Sequence, residues 1–283
     1  MSEKAVYFDG NTYLQNDSLS AMPASSPYGF ISYWTNAVFN VDTASATVLQ
    51  NGVAPDGQWT ISISQSSING DGLAGLVIVL HDDPNVAGQM VRWSNGATDF
   101  IPYDGLWHHT MISWNTQTGS CVAYFDNTPV TMSSLPGVDS GPFDMSFNGY
   151  VWRVGVADPN DTFVTPSGVN ETAFIGSLAE LFFLTGTPVD ITDPAIRAKF
   201  IDPSTLQPIP IDAGGLWPFF DTTGDVPQIF LSGNADMFPR NYPSWSATCV
   251  SQTDSTPSST FYVPAASNPL QTATDSPFGP PIS

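Results

Sequence analysis

Residues Tyr103–Pro129, YDGLWHHTMISWNTQTGSCVAYFDNTP, read as two strands joined by a turn. From Leu106 to Trp114 large apolar side chains alternate with polar or small ones. Asn115, Thr116, Thr118 and Gly119 supply turn chemistry, Cys121 to Phe125 resumes the run, and Asp126-Asn127-Thr128-Pro129 ends it. A period of two, bounded by Gly, Asn, Asp and Pro, predicts an antiparallel hairpin with one buried face.

Working outward, more segments of this kind appear. Val6-Tyr7-Phe8-Asp9-Gly10 with Thr12-Tyr13-Leu14 opens the chain, and Tyr28 to Phe39 is rich in aromatic and branched residues. Thr47 to Gln50, Gln58 to Ser64, Leu73 to Leu80, Gln89 to Trp93 and Asp99 to Ile101 follow. Turn signals such as Pro55-Asp56-Gly57 and Asn69-Gly70-Asp71-Gly72 separate them. Tyr150 to Val156 and Phe174 to Leu184 complete the set. Short strands at this spacing predict a sandwich or barrel rather than alternating strand–helix units. One helix is predicted at Asp193–Phe200, with Asp at the N-cap, Pro at the first helical position and Arg197 and Lys199 in the last turn. Beyond it the composition turns proline- and glycine-rich, with Gln228–Gly233 as a short strand, and from Ser251 onward it is Ser, Thr, Pro and Gln.

Composition narrows the function. The 283 residues are 41% hydrophobic with 18 Phe, 9 Tyr and 8 Trp, enough for a full core, yet only 11% are charged. Six basic residues stand against 26 acidic ones, for a formal charge of −20. Phosphate backbones are neutralised by Lys and Arg, so nucleic acid is excluded as a partner, and an anionic membrane on the same ground. No apolar signal segment opens the chain and no apolar run is long enough to span a bilayer, so synthesis in the cytoplasm, or export by something other than a cleaved signal, is expected. Cys121 reads as a small buried hydrophobe in a strand, and a disulfide to Cys249 stays open.

The hairpin motif, with Gly105, Trp107-His108-His109, Gly119 and Tyr124-Phe125-Asp126, resembles the central hairpin of LamG-like, concanavalin A-type jelly rolls. The opening Phe8-Asp9-Gly10 with Tyr13-Leu14 resembles the first strand of the same domains, and Phe174-Ile175-Gly176-Ser177-Leu178-Ala179-Glu180-Leu181-Phe182-Phe183-Leu184 their last. The resemblance implies an all-β fold: an antiparallel β-sandwich with one short helix and an irregular C-terminal extension. The expected divisions are a sandwich over 1–190, a helix plus Pro/Gly-rich segment packing on it over 191–250, and a Ser/Thr/Pro-rich tail over 251–283. Trp107 and Trp114 are assigned to the core or the seam between sheets, and Gly176 to a bulge or a close approach of strands.

Catalytic chemistry finds no footing. His108 and His109 are adjacent on a strand and so point to opposite faces, which suits packing or a hydrogen bond rather than a shared metal. The two carboxyl groups of a retaining glycosidase must stand about 5–5.5 Å apart; the glucanase pattern Glu-x-Asp-x-x-Glu is absent, and Glu171 and Glu180 do not replace it. There is no Gly-x-Ser-x-Gly elbow, no phosphate loop and no dinucleotide fingerprint. No catalytic residue is assigned, and the chain is expected not to be an enzyme.

Binding is more open. The resemblance implies Ca²⁺ at a loop rim, held by Asp and backbone carbonyls. Asp82, Asp83, Asp99, Asp158 and Asp161 fall at predicted strand ends, and the loop Ala157–Asp161, with Asp158 and Asp161 as ligands, is the best single candidate. Ca²⁺ takes six to eight oxygens, which one turn rarely supplies, and hydrated acidic turns are the plainer alternative. No other cofactor is expected. Exposed indoles could stack on sugar rings, with Trp59, Trp93 and Trp152 as candidate platforms, although most strand Trp pack in cores.

The remainder has a narrower resemblance. Phe200-Ile201-Asp202-Pro203-Ser204-Thr205-Leu206-Gln207-Pro208 and Pro227-Gln228-Ile229-Phe230-Leu231-Ser232-Gly233-Asn234-Ala235-Asp236-Met237-Phe238-Pro239-Arg240-Asn241 are similar to segments that follow such a sandwich in some bacteriophage particle proteins. After Asn241 the chain departs, with Tyr242-Pro243-Ser244-Trp245 where those proteins are Gly-rich. This resemblance implies a structural virion protein, in a head decoration or a tail or fibre, displayed on the particle surface and bound to other virion proteins or copies of itself. The rival is a carbohydrate-binding adhesin that grips host glycans, and a less favoured third reading is a glycoside hydrolase with relocated carboxylates.

Overall fold

The computed structural model describes residues 5–9, 13–16, 23–37, 45–53, 58–67, 74–81, 90–95, 105–134, 142–147, 151–155, 174–209, 227–231, 250–251, 262–263 and 271–272. Its strands are β1 (Val6–Asp9), β2 (Leu14–Asn16), β3 (Ser25–Ser26), β4 (Tyr28–Ala37), β5 (Ser45–Val53), β6 (Gln58–Ser67), β7 (Ala74–His81), β8 (Met90–Ser94), β9 (His108–Asn115) and β10 (Ser120–Phe125). They continue with β11 (Thr128–Val130), β12 (Ser133–Ser134), β13 (Met145–Ser146), β14 (Val151–Val154), β15 (Ile175–Thr185), β16 (Ile229–Leu231), β17 (Val250–Ser251), β18 (Tyr262–Val263) and β19 (Gln271–Thr272). A single helical turn, α1 (Pro194–Arg197), precedes β16. Among the described residues no helix is long and apolar enough to cross a membrane. The predicted segment 99–101 lies outside the described residues.

Two large sheets form. The eight-stranded sheet runs β11-β10-β9-β4-β15-β1-β19, with β16 also on β15, and the nine-stranded sheet runs β12-β8-β7-β6-β5-β14-β2-β18-β17. A two-stranded piece joins β13 to β3. Every pairing is antiparallel except β17 with β18. The chain is therefore an antiparallel β-sandwich of the concanavalin A-like jelly-roll kind, as the alternation and the family resemblance predict.

The central hairpin forms with Cys121 opposite Trp114 and Phe125 opposite Thr110. Its far end differs from the expectation. Asp126 and Asn127 take positive φ, 45° and 62°, and make a two-residue turn of the kind whose twist matches the strands. The chain then turns back as β11, with Pro129 opposite Tyr124. Pro cannot donate to a ladder, but β11 lies at the sheet edge, where no donor is needed. Gly29 faces Trp114 across β4 and β9; any Cβ there would run into the indole, so the glycine is what admits the tryptophan.

The inner faces bury one continuous core. In it Trp114 and Phe183 of the eight-stranded sheet meet Trp152 of the nine-stranded sheet, with ring centroids 6.3 Å apart for Trp114–Phe183 and 5.3 Å for Trp152–Phe183. Trp107 does not join this seam. It packs with Trp34, Ala179 and Ile201 on the outer side of the eight-stranded sheet. The expected bulge also moves: Gly176 pairs regularly with Phe8 and Ala37, and the register slips between Ala179 and Phe182 instead. Glu180, buried and with φ at 47°, sits in that bulge.

The outer face of the eight-stranded sheet is apolar as well. Phe30, Met111, Phe182 and Leu184 point outward beside Phe230 of β16 and are covered by Ile191 and Phe200. Phe30, Phe182 and Phe200 meet in a triangle with centroids 5.4–5.7 Å apart. The cover is held by polar bonds too. Asp193 caps α1 by accepting from the Ala195 amide at 2.8 Å. Arg197 donates to the carbonyls of Ile191 and Thr192 at 2.7 and 3.0 Å and to Asn127 Oδ1 at 2.7 Å, while lying 4.1 Å over the Tyr124 ring. The Ser113 hydroxyl donates to the Val189 carbonyl at 2.6 Å. Farther on, Ile201 bridges to Pro208 and β16 extends the sheet along Leu181–Phe183.

Candidate binding surface

The two histidines of the hairpin separate as strand geometry requires. His109 lies on the outer side of the eight-stranded sheet, stacked on Trp34 at 4.9 Å, with Nε2 2.8 Å from the Ser32 hydroxyl. Burial pulls its pKa down to about 3 against the opposing charge of Asp126, so the ring is neutral at ordinary pH. His108 stacks on Phe125, and its Nδ1 meets Asp126 Oδ2 at 2.6 Å. The other oxygen of Asp126 accepts from the His109 amide at 2.8 Å. Serine, histidine and aspartate are thus neighbours without forming a triad. The carboxylate grips the ring of His108 and the backbone of His109, not the ring of His109, and the Ser32 hydroxyl is buried. The arrangement fastens the hairpin end rather than activating a nucleophile.

The other reactive groups follow the same pattern. Cys121 is a free thiol packed against the core, and burial pushes its pKa up, which leaves it inert. Cys249 lies outside the described residues, as do Asp82, Asp83, Asp99, Asp158 and Asp161. Among the described residues no three His, Cys, Asp or Glu converge as a metal site.

Two of the expected stacking platforms prove to be core residues. Trp93 is 2% exposed and Trp152 is 1% exposed. Both face inward, because their strand positions align with core residues: Trp93 opposite Ile78, and Trp152 packed on Phe147 and Phe183. Neither can offer an indole face to a sugar ring. The side chain of Trp59 lies outside the described residues.

One group missed in the sequence stands out. On β14, Trp152 and Val154 belong to the core, so Arg153 between them points to the outer face of the nine-stranded sheet. It is 3% exposed. It sits directly between Gln15 of β2 and Gln50 of β5 and donates from Nε to Gln15 Oε1 at 3.2 Å. The register continues from Gln50 to Ser62, Val79 and Arg92, so two of the six basic residues of the chain share one row. None of the nine strands of this sheet contains an Asp or a Glu, in a chain with 26. The signal in the sequence is an arginine set inside an apolar strand, YVWRVGV; its partners, from remote parts of the chain, leave no local trace.

No family model matches the chain, and no curated protein matches it. Solved structures do. A heptameric pentraxin of Limulus polyphemus is 13% identical over 64% of this chain and 75% of that one, with a TM-score of 0.42. Domains LG4-5 of the mouse laminin alpha1 chain are 9% identical over 63% of this chain and 41% of that one, with a TM-score of 0.42. The enzymatically active domain of bacteriophage CBA120 tailspike protein 2 is 12% identical over 68% of this chain and 26% of that one, again at 0.42. The chain spans less than half the length of the laminin and tailspike chains. The likeness is one of fold outline only and says nothing of ligand, activity or assembly.

Proposed function

We propose that the chain is a non-enzymatic structural and binding protein of a bacteriophage-like particle, in a head decoration or a tail or fibre, displaying its jelly roll at the virion surface. One observation carries the reading. The residues that resemble phage particle proteins, Phe200–Pro208 and Pro227–Leu231, are built onto the outer face of the eight-stranded sheet and into its edge. The narrower resemblance therefore belongs to the same folded body as the LamG-like one. Its partners are other virion proteins or further copies of the chain; the expected tail contributes β17, β18 and β19 to the chain's own two sheets, so contacts with neighbours fall to the body of the sandwich. The test is to image the assembled particle and measure copy number. A fixed stoichiometry with the sandwich outermost is expected, whereas particles complete without the chain would overturn the reading.

A second reading is a carbohydrate-binding adhesin that grips host glycans, which the LamG-like hairpin motif of Gly105, Trp107-His108-His109 and Gly119 favours. A glycan array separates the two, since a purely structural part gives no signal. Turnover of a polysaccharide would instead revive the hydrolase reading.

A further inference from the structure

We infer that Leu106 and Leu206 mark an apolar docking surface on the outer side of the eight-stranded sheet, and that it takes a protein whose apolar contact is ringed by Lys or Arg. This rests on the reading of the chain as a binding part of a particle and names the surface and the chemistry of the neighbour.

Among the described residues the large apolar side chains open to water are Leu106, 63% exposed, and Leu206, 45% exposed. A lone exposed leucine is ordinary, but these two border one cluster. Leu106 adjoins Trp107, which packs with Tyr7, Trp34, Ala179 and Ile201. Leu206 stands in the hairpin that begins at Ile201 and is closed by the bridge from Ile201 to Pro208. Trp107 and Tyr7 are themselves only half-buried, so aromatic surface adds to that of the leucines.

Both leucines stand on fixed backbone. The Gly105 carbonyl, just before Leu106, accepts from Asn36 Nδ2 at 2.9 Å. In the hairpin the Leu206 amide donates to the Asp202 carbonyl at 2.8 Å, and the Asp202 amide to the Gln207 carbonyl at 2.8 Å. Leu206 has φ at 55°, a region that Asn or Gly adopts more easily than a leucine. Folding gains little from an exposed leucine there, whereas a pre-set apolar prominence loses little entropy on docking.

The charges around this surface select the partner. On the segment that covers the sheet Asp190 and Asp193 are exposed, and Asp202 stands at the base of the Leu206 hairpin. Hydrogen bonds from Thr192 and from Ser204 hold the carboxyls of Asp190 and Asp202 below their usual range, so both are ionised at neutral pH. Of the two cations on the segment, Arg197 is bound to the Ile191 and Thr192 carbonyls, Asn127 and the Tyr124 ring, and Lys199 is half-buried. The formal charge of −20 repels a second copy and an anionic membrane at long range and attracts a basic protein. An apolar centre with a rim of opposite charge is the complement.

The experiment uses the full-length protein and two synthetic helical peptides. One is built of leucine and lysine with a leucine face, and in the other serine replaces those leucines. Calorimetric titration is expected to show the leucine–lysine peptide binding about tenfold or more tightly than the serine–lysine one. Leu206→Asn and Leu106→Ser should each weaken that binding about tenfold while leaving the charge unchanged. Leu206→Asn should hold or raise the unfolding midpoint, since Asn tolerates that φ, so lost binding is not lost folding. Raising NaCl from about 0.05 M to about 0.5 M should weaken the complex, because its rim is ionic. In purified particles, p-benzoylphenylalanine in place of Leu206 should cross-link to a different virion protein, at a peptide that contains Lys or Arg.

Unchanged affinity in both leucine variants overturns the inference, as do equal binding of the two peptides and binding of neither. Self-association that strengthens with salt and is abolished by Leu206→Asn overturns it too, and assigns the surface to a second copy. Binding to phosphatidylcholine vesicles that the same variant abolishes overturns it in favour of a lipid surface. Particles that contain the chain but give no cross-link from position 206, or a cross-link only to another copy, also sink it. Particles without the chain remove the virion reading alone, and the leucine dependence of peptide binding then decides the inference. Loss of that dependence, with the chain at fixed copy number in the particle, removes the inference alone.

Discussion

The two sheets of this sandwich treat their outer faces in opposite ways. The eight-stranded sheet carries Phe30, Met111, Phe182, Leu184 and Phe230 outward, and the chain's own Ile191 and Phe200 bury them. The nine-stranded sheet carries Gln15, Arg153 and Gln50 outward, with no acidic residue in its strands. One face is closed by apolar contact and contributes stability. The other buries a guanidinium among neutral amides, and Arg153 donates to Gln15 there. A sandwich needs only its inner faces to fold, so each outer face was free to take a separate task.

The sharpest way to break the contrast is to open the closed face. Phe200→Ala removes the ring that touches Phe30 and Phe182 and should cost about 3–5 kcal/mol, measured by denaturant unfolding. A loss under about 1 kcal/mol would mean that the cover is not part of the cooperative unit. Next in size is Arg197→Ala. It deletes the hydrogen bonds to Ile191, Thr192 and Asn127 and the contact with Tyr124. A part-exposed group of this kind is expected to contribute about 1–2 kcal/mol, and limited proteolysis of the native protein should then cut first within 187–209.

A third test uses His109, which the closed face keeps neutral. Its folded pKa is lowered to about 3 from an ordinary value of 6.5, so between those values the unfolded chain binds a proton that the folded chain refuses. That stability is fully present above the unfolded pKa and is lost as pH falls below it, by about 1.4 kcal/mol per pH unit. Urea midpoints of the native chain at about pH 6.5 and about pH 5 should diverge accordingly, and His109→Gln should reduce the slope. An unchanged slope would place the titration elsewhere.

The smallest effect belongs to the nine-stranded sheet. A buried cation lacking a counter-charge is replaced by a similar apolar chain at little or no cost, so Arg153→Met should leave the unfolding free energy within about 1 kcal/mol, or raise it. A loss comparable to that of Phe200→Ala would mean that Arg153 holds the sheet together, and the asymmetry between the faces would collapse.

Much of the fold is legible in the residues alone. Alternation places β4, β6, β7, β9, β10 and β15 to within a few residues, and Asp193-Pro194 marks the start of α1 because caps are local chemistry. The misses have physical causes. Pro129 disguises β11, since a strand that needs no donor obeys different rules at an edge. The bulge falls at Glu180 rather than Gly176, because register is settled between strands and not within one. Trp93 and Trp152 read as candidate platforms because a period of two yields two faces without saying which meets water. The loop with Asp158 and Asp161 lies outside the described residues.

The sequence by itself determined what depends on near neighbours: the strands, the hairpin turns, the helix cap, and the acidic charge balance. Only the tertiary structure decided which outer face is sealed and which one holds an arginine between two glutamines. Those outcomes join residues 138 apart for Arg153 with Gln15, and 76 apart for Ser113 with Val189. Contacts at such range are set by how the sheets stack and where the chain returns, and neither leaves a periodic mark in the residues that make them.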